Sequence, residues 1–169
     1  LLVIFVSFFL ELCISLLTLR ALVPTLPDEF REIYDEAEYD RSQRYTRATT
    51  TFSMISSSVS TVLTVAFLLL GGFGYVDTWA RGFGYGEIVT GLIFTGTLAL
   101  LSSAVSLPFS VYRTFVIEER FGFNRTTVQT FLLDMVKGTL LAIVIALVTV
   151  TVTSLKAART NPAIALHYE

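Results

Sequence analysis

Four apolar runs set the rhythm of this chain, and charged segments separate them. Residues 1–19 are apolar apart from Glu11 and the small polar Ser7, Ser15 and Thr18, and Arg20 follows. Residues 48–76 carry no charge, with 52–70 as a spanning core, and residues 88–112 form a third charge-free run. The fourth, 128–155, holds Asp134 and Lys137 in its first turns. A bilayer core takes about 20 residues of helix, so each run is long enough to cross once. The pattern predicts an all-α, multi-pass transmembrane helical bundle of four spans.

The polar segments add detail. In residues 23–47, Pro24 and Pro27 break the first helix, and Pro27 with Asp28 and Glu29 reads as a new helix start, with acids where the helix dipole favours them. Phe30, Ile33, Tyr34 and Ala37 recur at helical spacing, and Arg31 with Asp35 and Asp40 with Arg44 stand four apart. This predicts one amphipathic surface helix. Ser56, Ser60 and Thr64, four apart, offer a face for close helix packing. Gly71, Gly72 and Gly74 end the second span, and Asp77, Trp79 and Arg81 then sit at an interface suited to an amphipathic aromatic. Gly82, Gly84 and Gly86 read as a flexible turn; no strand precedes them and no GK[ST] follows, which excludes a phosphate loop. Between the third and fourth runs, Arg113, Glu118, Glu119, Arg120 and Arg125 are too densely charged for a bilayer core, so the chain turns back there. Asn124 or Thr126 is the expected N-cap of the last helix.

Composition and charge narrow the function classes. The chain is 53% apolar and 15% charged, against roughly 25% charged in a soluble domain. Its partner is therefore the lipid bilayer. A net charge of −2 leaves no basic footprint for nucleic acid. Cys13 is the single cysteine, in an apolar run, and reads as a small buried hydrophobe, so neither a disulfide framework nor a cysteine metal site is available. The seven acids from Asp28 to Asp40 have no histidine among them and no calcium-loop spacing, so they read as a solvated face. Glu11 lies near mid-span, where an ionisable group faces a partner or a watery cavity; the plainer alternative is a protonated or water-exposed carboxyl near a truncated helix end. Asp134 and Lys137, three apart, are placed to pair on the inner face of a bundle. The chain opens on Leu1 with no basic segment before its first run, which reads as a truncated end and not a signal peptide.

The segment LPFSVYRTFVIEERFGFNRTTVQTFLLDMVK, residues 107–137, carries a family resemblance. Leu107, Pro108, Tyr112, Phe115, Ile117, Glu118, Phe121, Gly122, Phe123, Asn124, Thr127, Asp134 and Lys137 resemble the corresponding stretch in the membrane region of CAAX prenyl proteases, the integral-membrane zinc metallopeptidases. Leu26, Pro27, Glu29, Phe30, Tyr39, Ser42 and Tyr45 extend the likeness, which covers roughly residues 1–147; Arg41 stands where the family usually has a lysine. The resemblance implies cleavage of the three C-terminal residues of prenylated proteins, or proteolysis of membrane proteins in prokaryotes, with zinc as cofactor. The tail SLKAARTNPAIALHYE is similar instead to the C-terminal end of FtsX-like ABC-transporter permeases, through Lys156, Ala157, Ala158, Asn161, Pro162, Leu166, Tyr168 and Glu169. The expected organisation is thus a protease-like membrane domain over 1–152 and a permease-like tail over 153–169.

The chemistry of that family is incomplete in this sequence. A zinc centre of this kind needs two histidines four apart on one helix with a glutamate between them, and His167 is the one histidine. No cofactor and no catalytic residue are expected from this chain alone; a separate catalytic domain would supply both. The best candidates for function are Glu118, Arg120 and Asn124, which could line the substrate route or hold that domain. Their plainer role is a salt-bridged loop fixing the angle between the third and fourth helices. Arginines crowd the loops after the first and third spans, while Arg81 stands alone after the second, so the first and third loops face the cytoplasm by the positive-inside tendency. Lys156 and Arg159 in the tail conflict with that orientation unless one run does not span or the tail is a graft. The membrane is the plasma membrane in a prokaryote or the endoplasmic reticulum in a eukaryote. The rival readings are a permease fragment, which predicts a nucleotide-binding partner, and a non-catalytic membrane scaffold.

Overall fold

The computed structural model describes residues 1–23, 26 and 35–160, with the backbone alone for 154, 155 and 157–160. All its regular elements are helical: α1 Leu2–Ala21, α2 Glu36–Leu69, α3 Gly72–Arg81, α4 Glu87–Tyr112 and α5 Val128–Thr160. Four of them, α1, α2, α4 and α5, are long and apolar enough to cross a membrane. The all-α, four-span architecture is therefore as the hydropathy pattern requires. The chain divides into two compact units, Leu1–Asn124 with α1 to α4 and Arg125–Glu169 with α5.

In the first unit α1 packs on α2, α3 packs on α4 and α2, and α4 also meets α2. Helix α1 exposes apolar side chains all round, among them Val3, Phe9, Ile14 and Leu17, as a helix solvated by lipid does. Helix α2 is 34 residues long, roughly 51 Å at 1.5 Å per residue. That exceeds the roughly 30 Å hydrocarbon core, so its charged N-terminal turns stand clear of the bilayer. Asp35 caps it, its carboxylate accepting from the Ala37 amide at 3.2 Å.

The expected amphipathic surface helix takes a different form over its described part. From Glu36 onward the polar segment is continuous with the second span, because no glycine or proline lies between residues 35 and 70 to stop a helix from propagating. The proposed start at Pro27 and the apolar positions Phe30, Ile33 and Tyr34 lie outside the described residues, as does the tail beyond residue 160.

At the far end of α2 the chain turns a corner that sequence reading left irregular. Gly71 takes a φ of 74°, which a side-chain-bearing residue adopts at a cost. A Cβ on Gly72 would stand 2.5 Å from the Phe67 ring, so any larger residue would have to push that ring aside. Helix α3 starts there, and Gly72, Val76 and Ala80, four apart, form its buried face. Trp79, Phe83 and Tyr85 form an exposed ladder on the other side, with ring centroids 5.0 and 6.4 Å apart. Thr90, buried in the first turn of α4, ties the glycine-rich turn down by donating to the Tyr85 carbonyl at 3.1 Å.

Pro108 lies inside α4 without ending it; lacking an N–H, it leaves the Ala104 carbonyl without its usual donor. Beyond Tyr112 the helix widens into a π-helical turn, Arg113–Glu118. In the second unit, neither Asn124 nor Thr126 caps α5. Thr127 does, its hydroxyl accepting from the Thr130 amide at 3.1 Å, because it alone immediately precedes the first helical residue. Asp134 and Lys137 pair along α5 at 4.0 Å with both side chains exposed.

Candidate functional site

The charged turn after α4 closes against the polar end of α2, and helix geometry decides which of its residues meet. In a π turn residues five apart are neighbours, whereas in an α-helix they diverge. Arg113 and Glu118 are five apart, and the π turn brings Arg113 Nε to 3.6 Å from Glu118 Oε1. Ile117, in the same turn, is buried. Glu118 is thus joined to Arg113 across the π turn.

The backbone then reverses. The Glu118 carbonyl accepts from the Phe123 and Asn124 amides at 2.9 and 3.2 Å, and the Glu119 carbonyl from Gly122 at 3.0 Å. Gly122, at a φ of 74°, makes this reversal possible. Asn124 donates from Nδ2 to the Glu119 carboxylate at 2.9 Å. The two phenylalanines flanking Gly122 clasp Tyr45 of α2, with centroids 5.7 Å from Phe121 and 4.7 Å from Phe123. Arg41 lies 5.6 Å from the Phe123 ring centroid, in cation–π range.

Arg120 therefore comes together with Arg41 and Arg44 of α2, which sequence reading placed in a separate polar segment. Arg41, Arg44, Arg120 and Phe121 line a cavity of about 320 Å³. Arg41 also meets Glu38 at 3.8 Å, and Arg44 meets Asp40. The available signal was the arginine pair three apart, next to Tyr45 and facing a Phe-Gly-Phe turn. This clasp sets the N-terminal turns of α2, with Arg41 and Arg44, and the turn after α4 at one end of the unit, with Arg81 beyond the other end of α2.

Deeper in the helices, Glu11 has a partner. Ser57 of α2 donates to Glu11 Oε2 at 2.7 Å, so the carboxyl of α1 bonds across to the hydroxyl cluster of the second span. Such interhelical bonds contribute about 0.6 kcal/mol each on average. Ser57→Ala is expected to cost about that much, read as a lower midpoint on unfolding the detergent-solubilised chain with SDS; an unchanged midpoint would show that the two helices do not depend on the bond. A second cavity, about 420 Å³, opens between Ser60, Thr64 and Phe67 of α2, Phe73 of α3, and Leu101 and Ser102 of α4. The face of small residues on α2 borders this cavity. Among the described residues, no three His, Cys, Asp or Glu side chains gather as a metal site would require.

The sequence profile of the N-terminal region of CAAX prenyl proteases, described as five membrane helices, matches residues 5–166. The chain is 36% identical over 119 residues to CAAX prenyl protease 1 homolog of Mus musculus, covering 66% of this chain and 25% of that protein. It is 34% identical over 161 residues to the homolog of Taenia solium, covering 85% of this chain and 34% of that protein. The crystal structure of S. mikatae Ste24p superposes with a TM-score of 0.74 at 29% identity, over 84% of this chain and 35% of that one. The chain thus spans about a quarter to a third of the relatives it matches.

Proposed function

The chain belongs to the CAAX prenyl protease N-terminal family, and from that premise we propose that it is the membrane-embedded part of a zinc metalloendopeptidase whose catalytic centre is supplied by polypeptide outside this sequence. The zinc chemistry needs an HExxH, and none occurs here. When bound, zinc would lower the pKa of a water to make the nucleophile, and the glutamate between the histidines would act as base. This chain's own residues would do other work. The spans hold the enzyme in the bilayer where prenylated C-termini partition. The turn fastened by Arg113, Glu118, Glu119 and Asn124 would dock the catalytic domain at the membrane face or border its substrate route.

The single observation that supports this reading is the architecture of that turn. The residues shared with the family motif, Glu118, Phe121, Gly122, Phe123 and Asn124, are those that build the reversal and clasp Tyr45. The relatives named above are eukaryotic, which favours the endoplasmic reticulum membrane over a prokaryotic plasma membrane.

The test is a cleavage assay on a prenylated CAAX peptide in detergent. The purified chain is expected to give no turnover that a zinc chelator abolishes. Co-expression with an HExxH-bearing domain of the same family is expected to restore it. Chelator-sensitive cleavage by this chain alone would overturn the division of labour proposed here.

A further inference from the structure

The guanidiniums of Arg41, Arg44 and Arg120, which with Phe121 line a cavity, have no task in the docking turn of the peptidase reading, and their chemistry is distinct. Two guanidiniums come from α2 and one from the turn after α4, so the tertiary fold converges three cations from two elements distant in sequence. No carboxylate lines the cavity among the described residues. Glu38 and Asp40 sit along α2 and engage Arg41 and Arg44 from the side. Glu118 and Glu119 are taken up by Arg113 and Asn124. Arg120 makes no ion pair among the described residues. Each guanidinium has five N–H donors, and one carboxylate apiece leaves most of those on Arg41 and Arg44 unused.

We propose that this cavity binds a phosphate-bearing anion, supplied by the headgroup of an anionic lipid. Planar guanidiniums match the oxygens of a phosphate by paired hydrogen bonds. The position fits a headgroup. Arg44 precedes Phe52, the start of the spanning core, by eight residues, roughly 12 Å along the helix, which carries it past the hydrocarbon edge. Basic pockets between transmembrane helices at the cytoplasmic face are suited to acidic headgroups, and the arginine-rich loops that meet here are those the charge asymmetry assigns to that face. Phe121 closes one wall, leaving an apolar surface beside the cations, as the junction between a headgroup and its glycerol backbone requires.

The experiment uses the full chain purified in neutral detergent and titrated with dioctanoyl phosphatidic acid, dioctanoyl phosphatidylcholine and inorganic phosphate, with binding read by native mass spectrometry and by calorimetry. Phosphatidic acid is expected to bind, to be displaced by inorganic phosphate at much higher concentration, and to outcompete phosphatidylcholine. Arg120→Gln is expected to weaken phosphatidic acid binding about tenfold or more, the loss of a charge-assisted hydrogen bond. Arg120→Lys should recover part of it, and Arg81→Gln, on α3 at the other end of α2 and away from the cavity, should leave it unchanged. Full binding by the combined Arg41, Arg44 and Arg120 glutamine variant, or equal loss in Arg81→Gln, would overturn the site. Inorganic phosphate binding as tightly as phosphatidic acid would overturn the lipid as its source. The result stands apart from any peptidase activity, since no step of it requires zinc.

Discussion

Valine at Gly122 should destabilise the turn after α4 by more than any other single change there. The residue holds a φ of 74°, and ordinary side chains pay about 1–2 kcal/mol for that region, β-branched ones being the least suited. Relief of the strain would pull the Phe123 and Asn124 amides off the Glu118 carbonyl and withdraw both phenylalanines from Tyr45. Open space surrounds the position, so the penalty comes from the backbone and not from a clash. Asparagine tolerates the left-handed region better and is the matching control. The expected order of thermal stability in detergent is glycine, then asparagine, then valine, with trypsin cutting at Arg120 fastest in the valine variant. Equal stability of Gly122→Val and Gly122→Asn would mean that the reversal is not built this way in the membrane.

Ala80→Leu should produce the other large effect, at the opposite end of α2. Ala80 is the most deeply buried residue named in the core, with no exposed surface at all. It lies on the face that α3 presents with Gly72 and Val76. Extra methylenes in a packed site force side chains off their preferred rotamers and cost about 1–3 kcal/mol. Here they would lever α3 away from α4, whose start is anchored to the same corner through Thr90 and Tyr85. Tyr75→Leu, on the exposed side of the same helix, leaves the packing alone and should change little. A drop in the unfolding midpoint for Ala80→Leu, and none for Tyr75→Leu, is the expected pair of results in detergent.

Both substitutions fall where sequence reading was thinnest. The α3 segment was taken for an interfacial one because Gly71, Gly72 and Gly74 cluster at its start and its polar residues match a membrane surface; its buried positions number only three and are small, so no apolar stripe announces them. A salt-bridged loop was the plainer reading of Glu118, Arg120 and Asn124, with no partner assigned within it. A widened helical turn selects Arg113 for Glu118, and nothing in the run RTFVIE tells an α turn from a π turn. Glu11 was legible as an anomaly, since a carboxyl in an apolar helix demands a partner. That the partner is Ser57, among many hydroxyls on the second span, was not legible.

Hydropathy alone settles that the described chain is helical and crosses the membrane, because burial in lipid is a property of each stretch by itself and every backbone group must be satisfied within its own helix. The motif around Phe121, Gly122, Phe123 and Asn124 likewise carries its family in the letters. Which charges meet is another matter. The convergence of Arg41, Arg44 and Arg120 depends on how far α2 extends, on the rotation that the π turn imposes, and on the rings that clasp Tyr45. Those are relations between elements distant in sequence, and three-dimensional packing alone sets them.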